Sequence, residues 1–181
     1  MVTFVRLFRK RGFENTQIGD IIAPLEICQP TFFRYFPSKD AVLRELVQRA
    51  FVRVASHLES EVFSNTSTVE RLQQICRTIA REVEGDREFW RATVRSGMCW
   101  WDAGVRGEAI DRLLSATIAE GQARGEIVKK FPPAHLAEFL WGFYTTVIRR
   151  LAVDSPKPHD LSADLNYALE FFWRAVRQKS G

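Results

Sequence analysis

The chain has 181 residues, of which 46% are hydrophobic and 27% are charged. This length corresponds to about one domain with a small appended unit, and the composition excludes disordered, collagen-like and disulfide-scaffold chains. Three widely spaced cysteines without a CxxC pair argue against a disulfide framework and a zinc site. Because no apolar run approaches the ~20 residues that span a bilayer and no export signal opens the chain, we expect a cytoplasmic protein without membrane association.

The positive charge is concentrated near the N-terminus. Residues 1–50 contain 8 Lys and Arg against 5 Asp and Glu, a net charge of +3, whereas residues 51–181 contain 18 against 17, a net charge of +1. A basic surface is what a phosphate-binding protein needs, although an excess of three is weak evidence by itself.

Apolar residues recur at intervals of three and four along the chain, and period-two alternation and hairpin turns are rare, so we predict an all-α protein of about nine helices. Gly12 is expected to end the first helix, and Thr16, Ser38 and Asp86 are expected to cap the second, fourth and sixth. In chain order, the predicted helices cover about 4–11, 16–23, 29–35, 39–58, 72–85, 87–101, 110–121, 133–151 and 165–176.

Three short helices at the basic end, with a turn between the second and third, have the arrangement of a helix-turn-helix DNA-binding unit. Three stretches sharpen this interpretation: GFENT at 12–16, DI at 20–21 and TFFRYFPSKDAVL at 31–43. Together they resemble the N-terminal DNA-binding domain of the tetracycline-repressor (TetR) family of bacterial transcription regulators, over about residues 4–46. A looser resemblance covers IAEGQARGEI at 118–127.

The resemblance implies a homodimer of helical subunits that binds a palindromic operator in double-stranded DNA and releases it when a small molecule enters the C-terminal domain. We therefore expect a helix-turn-helix DNA-binding domain over residues 1–45 and a helical ligand-binding and dimerisation domain over residues 46–181. Such a protein is a transcription regulator, expected to be a repressor, and not an enzyme.

A recognition helix presents its first turns to base edges, which places Gln29, Pro30 and Arg34 outward and Phe32 and Phe36 inward. Gln29 is the strongest candidate for reading a base, because its amide can both donate to and accept from adenine.

Three further side chains of this helix are expected to contact DNA. Thr31 can bond a phosphate, and Tyr35 can pack its ring on the sugar-phosphate edge. By resemblance, Phe33 stands where the family usually has tyrosine; it keeps the ring for contact with a thymine methyl group, and its alternative role is core packing.

Lys39 follows the predicted cap at the positive end of a helix, where a cation is unfavourable by ~0.3–1 kcal/mol. With the free N–H groups of that turn it could clamp a DNA phosphate, and the alternative is a solvated lysine. Thr16 is expected to cap its own helix first and to contact a phosphate second.

The sequence departs from the family pattern at three places. Glu26 occupies the turn position that the family usually fills with glycine, so it must accept an unfavourable φ or reshape the turn. Pro24 shortens the second helix. The first helix starts at Met1, where relatives usually carry another turn and a basic arm.

Large aromatic side chains become frequent in the second half of the chain. An aromatic stripe at helical spacing is more often core than ligand box, but the resemblance favours a pocket for a bulky apolar or aromatic ligand. The candidate lining residues are Trp90, Met98, Trp101, Trp141 and Tyr144.

The last two predicted helices carry apolar seams at spacings of four, three and four, with Trp141, Phe171 and Trp173 off the seam. Pairing with the same helices of a twofold mate would form a four-helix interface. The candidate dimerisation residues are Leu140, Phe143, Val147, Leu165, Leu169, Phe172 and Val176.

Two alternative functions compete with a ligand-controlled regulator. One is a DNA-binding dimer without a ligand, and the other is an all-α hydrolase or metal-dependent enzyme. The enzyme is disfavoured because the three histidines are isolated and no HExxH, GxSxG or Glu-x-x-His pattern occurs. We expect no cofactor and no metal.

Overall fold

The structure, a computed structural model, describes residues 2–60, 66–97, 108–152 and 160–178. Within these ranges the chain folds into nine α-helices without a β-strand, which confirms the all-α prediction. The helices are α1 (Val2–Arg11), α2 (Ile18–Ile22), α3 (Gln29–Tyr35), α4 (Lys39–Ser60), α5 (Thr68–Gly85), α6 (Arg87–Arg95), α7 (Glu108–Ala123), α8 (Pro133–Arg149) and α9 (Leu161–Val176). We call residues 2–45 the head and the described residues from 46 onward the body.

A cluster of phenylalanine rings holds the head together. The Phe4 ring centroid lies 6.3 Å from that of Phe8 and 6.4 Å from that of Phe32, and the Phe8 and Phe13 centroids are 5.6 Å apart. All four side chains are buried. Burial of each ring contributes roughly 1.5–3 kcal/mol. The cluster therefore fixes α3 against α1 by its inward face.

The turns of the head follow two of the predicted conformations. Gly12 ends α1 with a φ of +76°, in the left-handed region, and its N–H donates to the Phe8 carbonyl at 2.9 Å. Between α2 and α3, a short 3-10 turn over Ala23–Leu25 leads to Glu26, which has a φ of 52° and a ψ of 32°. Glu26 thus accepts the left-handed conformation that a glycine would adopt freely.

α4 connects the head to the body. Ser38 caps it as predicted, because Ser38 Oγ accepts the Ala41 N–H at 3.1 Å. At ~1.5 Å per residue, its 22 residues span about 33 Å. Leu43 is buried near the head end, and Phe51 and Leu58 are buried farther along the same helix.

The body is a bundle in which α9 packs against α5 and α8, and α7 packs against α4, α5 and α8. Ser67 caps α5 by a reciprocal pair of hydrogen bonds: its N–H donates to Glu70 Oε2 at 2.9 Å, and its Oγ accepts the Glu70 N–H at 3.4 Å. Asp86 caps α6 as predicted, accepting the Phe89 N–H at 3.3 Å. α6 was predicted to reach Trp101 but ends at Arg95.

The IAEGQARGEI segment joins three helices of the body. Gly121 lies so close to α5 that a Cβ there would stand 2.6 Å from Thr68 Oγ1. Arg124 NH2 also donates to that hydroxyl at 3.0 Å, and Glu126 Oε2 accepts the Thr68 N–H at 2.7 Å. The Gln178 N–H, beyond the end of α9, donates to the Glu126 carbonyl at 2.9 Å. This segment therefore ties the start of α5 to the ends of α7 and α9.

Candidate DNA-binding interface

α3 lies on the surface of the head with one face in the core. Phe32 is buried and Phe36 is partly buried, whereas Gln29, Pro30 and Arg34 are exposed, as the sequence predicted. Phe33 and Tyr35 are exposed as well, and Tyr35 is 66% exposed. Thr31 is partly buried. An exposed aromatic and polar surface on a short helix is compatible with entry into a major groove.

Arg34 and Tyr35 form a pair on this surface. Arg34 NH2 donates to Tyr35 Oη at 3.3 Å, and Arg34 Cζ lies 5.1 Å from the centroid of the tyrosine ring. A guanidinium held by an aromatic ring loses less rotamer freedom when it binds a phosphate or a base edge. Sequence spacing did not reveal this pair, because adjacent residues on a helix ordinarily point in different directions.

A thiol lies at the start of α3. Cys28 Sγ is 3.1 Å from Thr31 Oγ1, and the hydrogen bonds from the Thr31 hydroxyl and N–H lower the pKa of the exposed Cys28 thiol. Thr31 therefore has an intramolecular partner beside the phosphate contact that we predicted for it. Cys28 was not among the predicted site residues, because its only signal in the sequence is its place one residue before α3.

Lys39 does not stand free at the start of α4. Its Nζ donates to the Phe13 carbonyl at 2.6 Å and to the Glu14 carbonyl at 3.4 Å, and it lies 4.2 Å from the centroid of the Phe13 ring. Lys39 therefore holds the turn after α1 against the start of α4, and its contact with a DNA phosphate stays a prediction. The penalty of a cation at a helix N-terminus is offset by two carbonyl oxygens and a ring face.

The prediction that Thr16 caps α2 is wrong. α2 starts at Ile18 after Gln17, whose N–H donates to Asp20 Oδ2 at 3.0 Å. Thr16 is buried, and its hydroxyl donates to the Gly12 carbonyl at 2.8 Å, closing the turn after α1. Because the Thr16 side chain faces the core in this conformation, it does not reach the surface where a DNA phosphate would lie.

The head meets the body through α1 and α6. Arg9 Nε donates to Asp86 Oδ1 at 2.8 Å, and Arg9 NH2 donates to Asp86 Oδ2 at 2.5 Å. The hydrogen bond and the charge of Asp86 raise the pKa of the Arg9 guanidinium further above its ordinary value. This ion pair joins residues 77 positions apart.

Three of the five predicted ligand-lining residues lie in the described part of the body, and all three are buried. The ring of Phe51 stands between two of them: its centroid is 5.4 Å from that of Trp90 and 5.1 Å from that of Trp141. The Trp141 and Tyr144 centroids are 6.5 Å apart. Met98 and Trp101, the other two, lie outside the described residues.

The Tyr144 hydroxyl is buried beside the Cys76 thiol and makes no hydrogen bond of ordinary geometry among the described residues. Burial and the neighbouring Cys76 raise the pKa of Tyr144 well above its ordinary value, and burial raises the pKa of the Cys76 thiol to about 12. An unpaired hydroxyl in an apolar core costs free energy, and it can donate a hydrogen bond to a ligand that reaches it.

The predicted dimerisation residues occupy the inside of the subunit. Six of them are buried in the isolated chain, because the regular seams of α8 and α9 face each other and α5; Phe143 is partly exposed. The six buried residues are Leu140, Val147, Leu165, Leu169, Phe172 and Val176. The prediction that these six side chains form an intersubunit face is therefore wrong, whereas for Phe143 it stays a prediction.

A different set of aromatic side chains covers the outer face of α8 and α9. Phe139, Tyr167 and Phe171 are 60–69% exposed. The Phe171 ring makes an edge contact with Phe143, with centroids 5.6 Å apart. Exposed aromatic side chains on one face are typical of a protein contact surface.

The described residues contain no group of three or more His, Cys, Asp or Glu side chains that could hold a metal ion. Among the helices that the structure describes, none is long and apolar enough to cross a membrane.

Residues 4–46 match the family model described as "Bacterial regulatory proteins, tetR family". The chain is 26% identical over 150 residues to the HTH-type transcriptional repressor ComR of Escherichia coli. These aligned residues make up 75% of this chain and 70% of ComR.

Solved structures of transcription regulators share the fold. Thermus thermophilus FadR, a TetR-family transcriptional repressor in complex with lauroyl-CoA, superposes with a TM-score of 0.82 at 20% identity, over 99% of this chain and 94% of FadR. The regulator FadR of Bacillus subtilis, in complex with stearoyl-CoA, superposes with a TM-score of 0.73 at 17% identity, over 94% of each chain.

Proposed function

We propose that this chain, which belongs to the TetR family of bacterial regulatory proteins, represses transcription by binding an inverted-repeat operator as a homodimer. The observation that carries this proposal is the arrangement of α3, whose inner face is fixed by the phenylalanine cluster while its first turn is exposed. Regulators of this kind act by binding DNA and not by catalysis.

We assign base reading to Gln29 and backbone contacts to the Arg34–Tyr35 pair. The Gln29 amide is exposed in the first turn of α3, where a recognition helix approaches base edges. The paired guanidinium and phenol offer donors to phosphate oxygens. Pro30 and Phe33 add apolar surface for a thymine methyl group, and Thr31 adds a hydroxyl at the rim.

The outer face of α8 and α9 is our candidate for the dimer interface. Phe139, Tyr167 and Phe171 would bury large rings against the same rings of a twofold mate, as in a four-helix interface. A twofold dimer would place two copies of α3 about one duplex turn apart, ~34–36 Å, which matches adjacent major grooves on one side of the duplex.

We further propose that a small apolar or aromatic ligand controls operator binding from the body. The buried cluster of Trp90, Trp141 and Tyr144 supplies apolar surface, and the buried Tyr144 hydroxyl supplies one polar contact. Both FadR proteins were solved with an acyl-CoA, so a long acyl thioester is the first ligand to test. A DNA-binding dimer without a ligand is the competing function.

The test is selection of bound duplexes from a random library at ~150 mM salt, where non-specific phosphate binding is weakened. We expect an inverted repeat. Gln29→Ala should relax the preference at one base pair per half-site, whereas Tyr35→Phe, which keeps the ring and removes the hydroxyl, should weaken all sequences alike. Absence of an inverted repeat would contradict the proposed function, and a uniform loss with Gln29→Ala would contradict the base-reading role.

Ligand control has a separate readout. Lauroyl-CoA should change the tryptophan fluorescence and release the selected duplex, while coenzyme A without the acyl chain should do neither. If acyl-CoA leaves the fluorescence and the duplex affinity unchanged, this ligand class is contradicted while the DNA-binding function is kept.

A further inference from the structure

One carboxylate of the body both starts α6 and holds the head. Asp86 Oδ1 accepts the Phe89 N–H at 3.3 Å as the cap of α6, and the same oxygen accepts Arg9 Nε at 2.8 Å. Asp86 Oδ2 accepts the second guanidinium nitrogen at 2.5 Å. A bidentate pair of this kind constrains orientation as well as distance, because the guanidinium and the carboxylate must remain nearly coplanar.

α6 is in turn anchored to the rest of the body. Arg91 Nε donates to the Leu151 carbonyl at 3.1 Å, in the 3-10 turn that follows α8. Trp90 Nε1 donates to the Glu82 carbonyl of α5 at 3.2 Å. α6 therefore moves with α5 and the end of α8, and its contact with α1 transmits their position to the head.

Clefts flank the ion pair. On one side, a cleft of about 340 Å³ lies between α1 and α6 with Arg9 in its wall. On the other, a cavity of about 100 Å³ lies between α1, α4 and α6 with Asp86 in its wall. Because open space supplies no van der Waals contact, these clefts leave less side-chain packing around the ion pair than a filled junction would supply.

We propose that the Arg9–Asp86 ion pair sets the tilt of the head on the body and thereby determines which spacing between operator half-sites the dimer prefers. This inference rests on the proposed homodimer. Each added base pair moves the half-sites apart by ~3.4 Å and rotates them by ~35°, so a dimer with rigid heads distinguishes neighbouring spacings. Arg9 and Asp86 are positioning residues, since they act through the placement of α3.

The head contains a closely matched control. Arg11, in the same last turn of α1, donates to Asp20 Oδ1 at 2.9 Å, and the two arginine side chains are 47% and 49% exposed. Asp20 also accepts a backbone N–H at the start of its helix, as Asp86 does. The Arg11–Asp20 pair joins α1 to α2 within the head, so its loss leaves the contact between head and body in place.

The experiment measures binding of full-length protein to duplexes that keep the two half-sites selected by the wild type and differ by −2 to +2 base pairs between them. The variants are Arg9→Ala, Asp86→Asn and Arg11→Ala, with Arg9→Lys as the conservative change. Asp86→Asn removes the charge and keeps an oxygen that can cap α6. Circular dichroism and sedimentation establish that each variant is folded and dimeric.

We expect Arg9→Ala and Asp86→Asn to reduce the ratio of Kd values between the next-best and the best spacing by about 1.4-fold to fivefold, the range for losing one partly exposed pair. Arg9→Lys should retain part of the ratio, and Arg11→Ala should retain all of it even if affinity falls for every duplex. A merely structural role would lower all affinities together and leave the ratio unchanged.

An unchanged ratio in folded Arg9→Ala and Asp86→Asn dimers would overturn the inference, and so would an equal reduction in Arg11→Ala. Both outcomes leave the proposed function intact, because the wild type would still bind an inverted repeat. If the wild type shows no preference among spacings, the inference fails while operator binding stands; if it selects no repeat at all, the proposed function fails as well.

Discussion

Replacing Glu26 with glycine should stabilise the protein, since this exposed residue is held at a φ of 52° and a ψ of 32°. The left-handed conformation costs an ordinary L-residue ~1–2 kcal/mol, and glycine adopts it without that cost. Because glycine has greater conformational freedom in the unfolded chain, this substitution also destabilises the folded state by roughly 0.5–1 kcal/mol, which offsets part of the gain. We therefore expect Glu26→Gly to raise the free energy of unfolding by about 0.5–1 kcal/mol.

For a chain of this length, that gain corresponds to an increase in Tm of about 1–4 °C, measurable by circular dichroism or calorimetry. Glu26→Ala removes the carboxylate and keeps the strain, so it serves as the charge control and should change the Tm little. Gly125→Ala is the reciprocal control: Gly125 has a φ of +76° with open space around an added Cβ, so this change should lower stability by about 1 kcal/mol.

Equal gains from Glu26→Ala and Glu26→Gly would refute the backbone argument and assign the effect to charge. Stabilisation by Gly125→Ala would refute it as well, because both sites test the same conformational cost.

Three other predictions concern the body and the thiols. Gly121→Ala should destabilise by about 2 kcal/mol or more in denaturant unfolding, since its Cβ would overlap α5 with contacts as short as 2.6 Å; an unchanged midpoint would contradict that close approach. Tyr144→Phe should raise stability by about 1 kcal/mol by removing a buried hydroxyl that makes no hydrogen bond of ordinary geometry among the described residues, and a loss of stability would show that the hydroxyl is satisfied. Near pH 8, a thiol reagent followed by peptide mass spectrometry should label Cys28, whose pKa is lowered, well before Cys76, whose pKa is about 12; equal rates would contradict the burial of Cys76.

Local signals predicted much of the fold. Helix caps act over three or four residues, so Ser38 and Asp86 could be identified from sequence together with the start of α3. The inward and outward faces of α3 followed from treating it as a recognition helix that presents its first turns to base edges, and the resemblance to a known family supported that treatment. Glu26 was expected either to accept an unfavourable φ or to reshape the turn, because a glycine is usual at its position, and the backbone shows the unfavourable φ.

The errors arose where a side chain had several partners within reach. Thr16 is a polar residue near a helix start, but its hydroxyl binds the Gly12 carbonyl and does not cap α2. Periodicity identifies an apolar seam without identifying what covers it, so the seam of α8 and α9 was assigned to a second subunit although it closes the body of one. The Arg9–Asp86 pair depends on a separation of 77 residues, for which no local pattern exists.

The central claim is that two copies of α3, in one dimer, occupy adjacent major grooves of a repeated half-site. Sedimentation of the protein with a duplex carrying the selected repeat tests this most directly, compared with a duplex in which one half-site is scrambled. We predict two chains on the intact repeat and a loss of affinity of at least tenfold on the scrambled one. One chain per duplex with equal affinity for both would contradict the account.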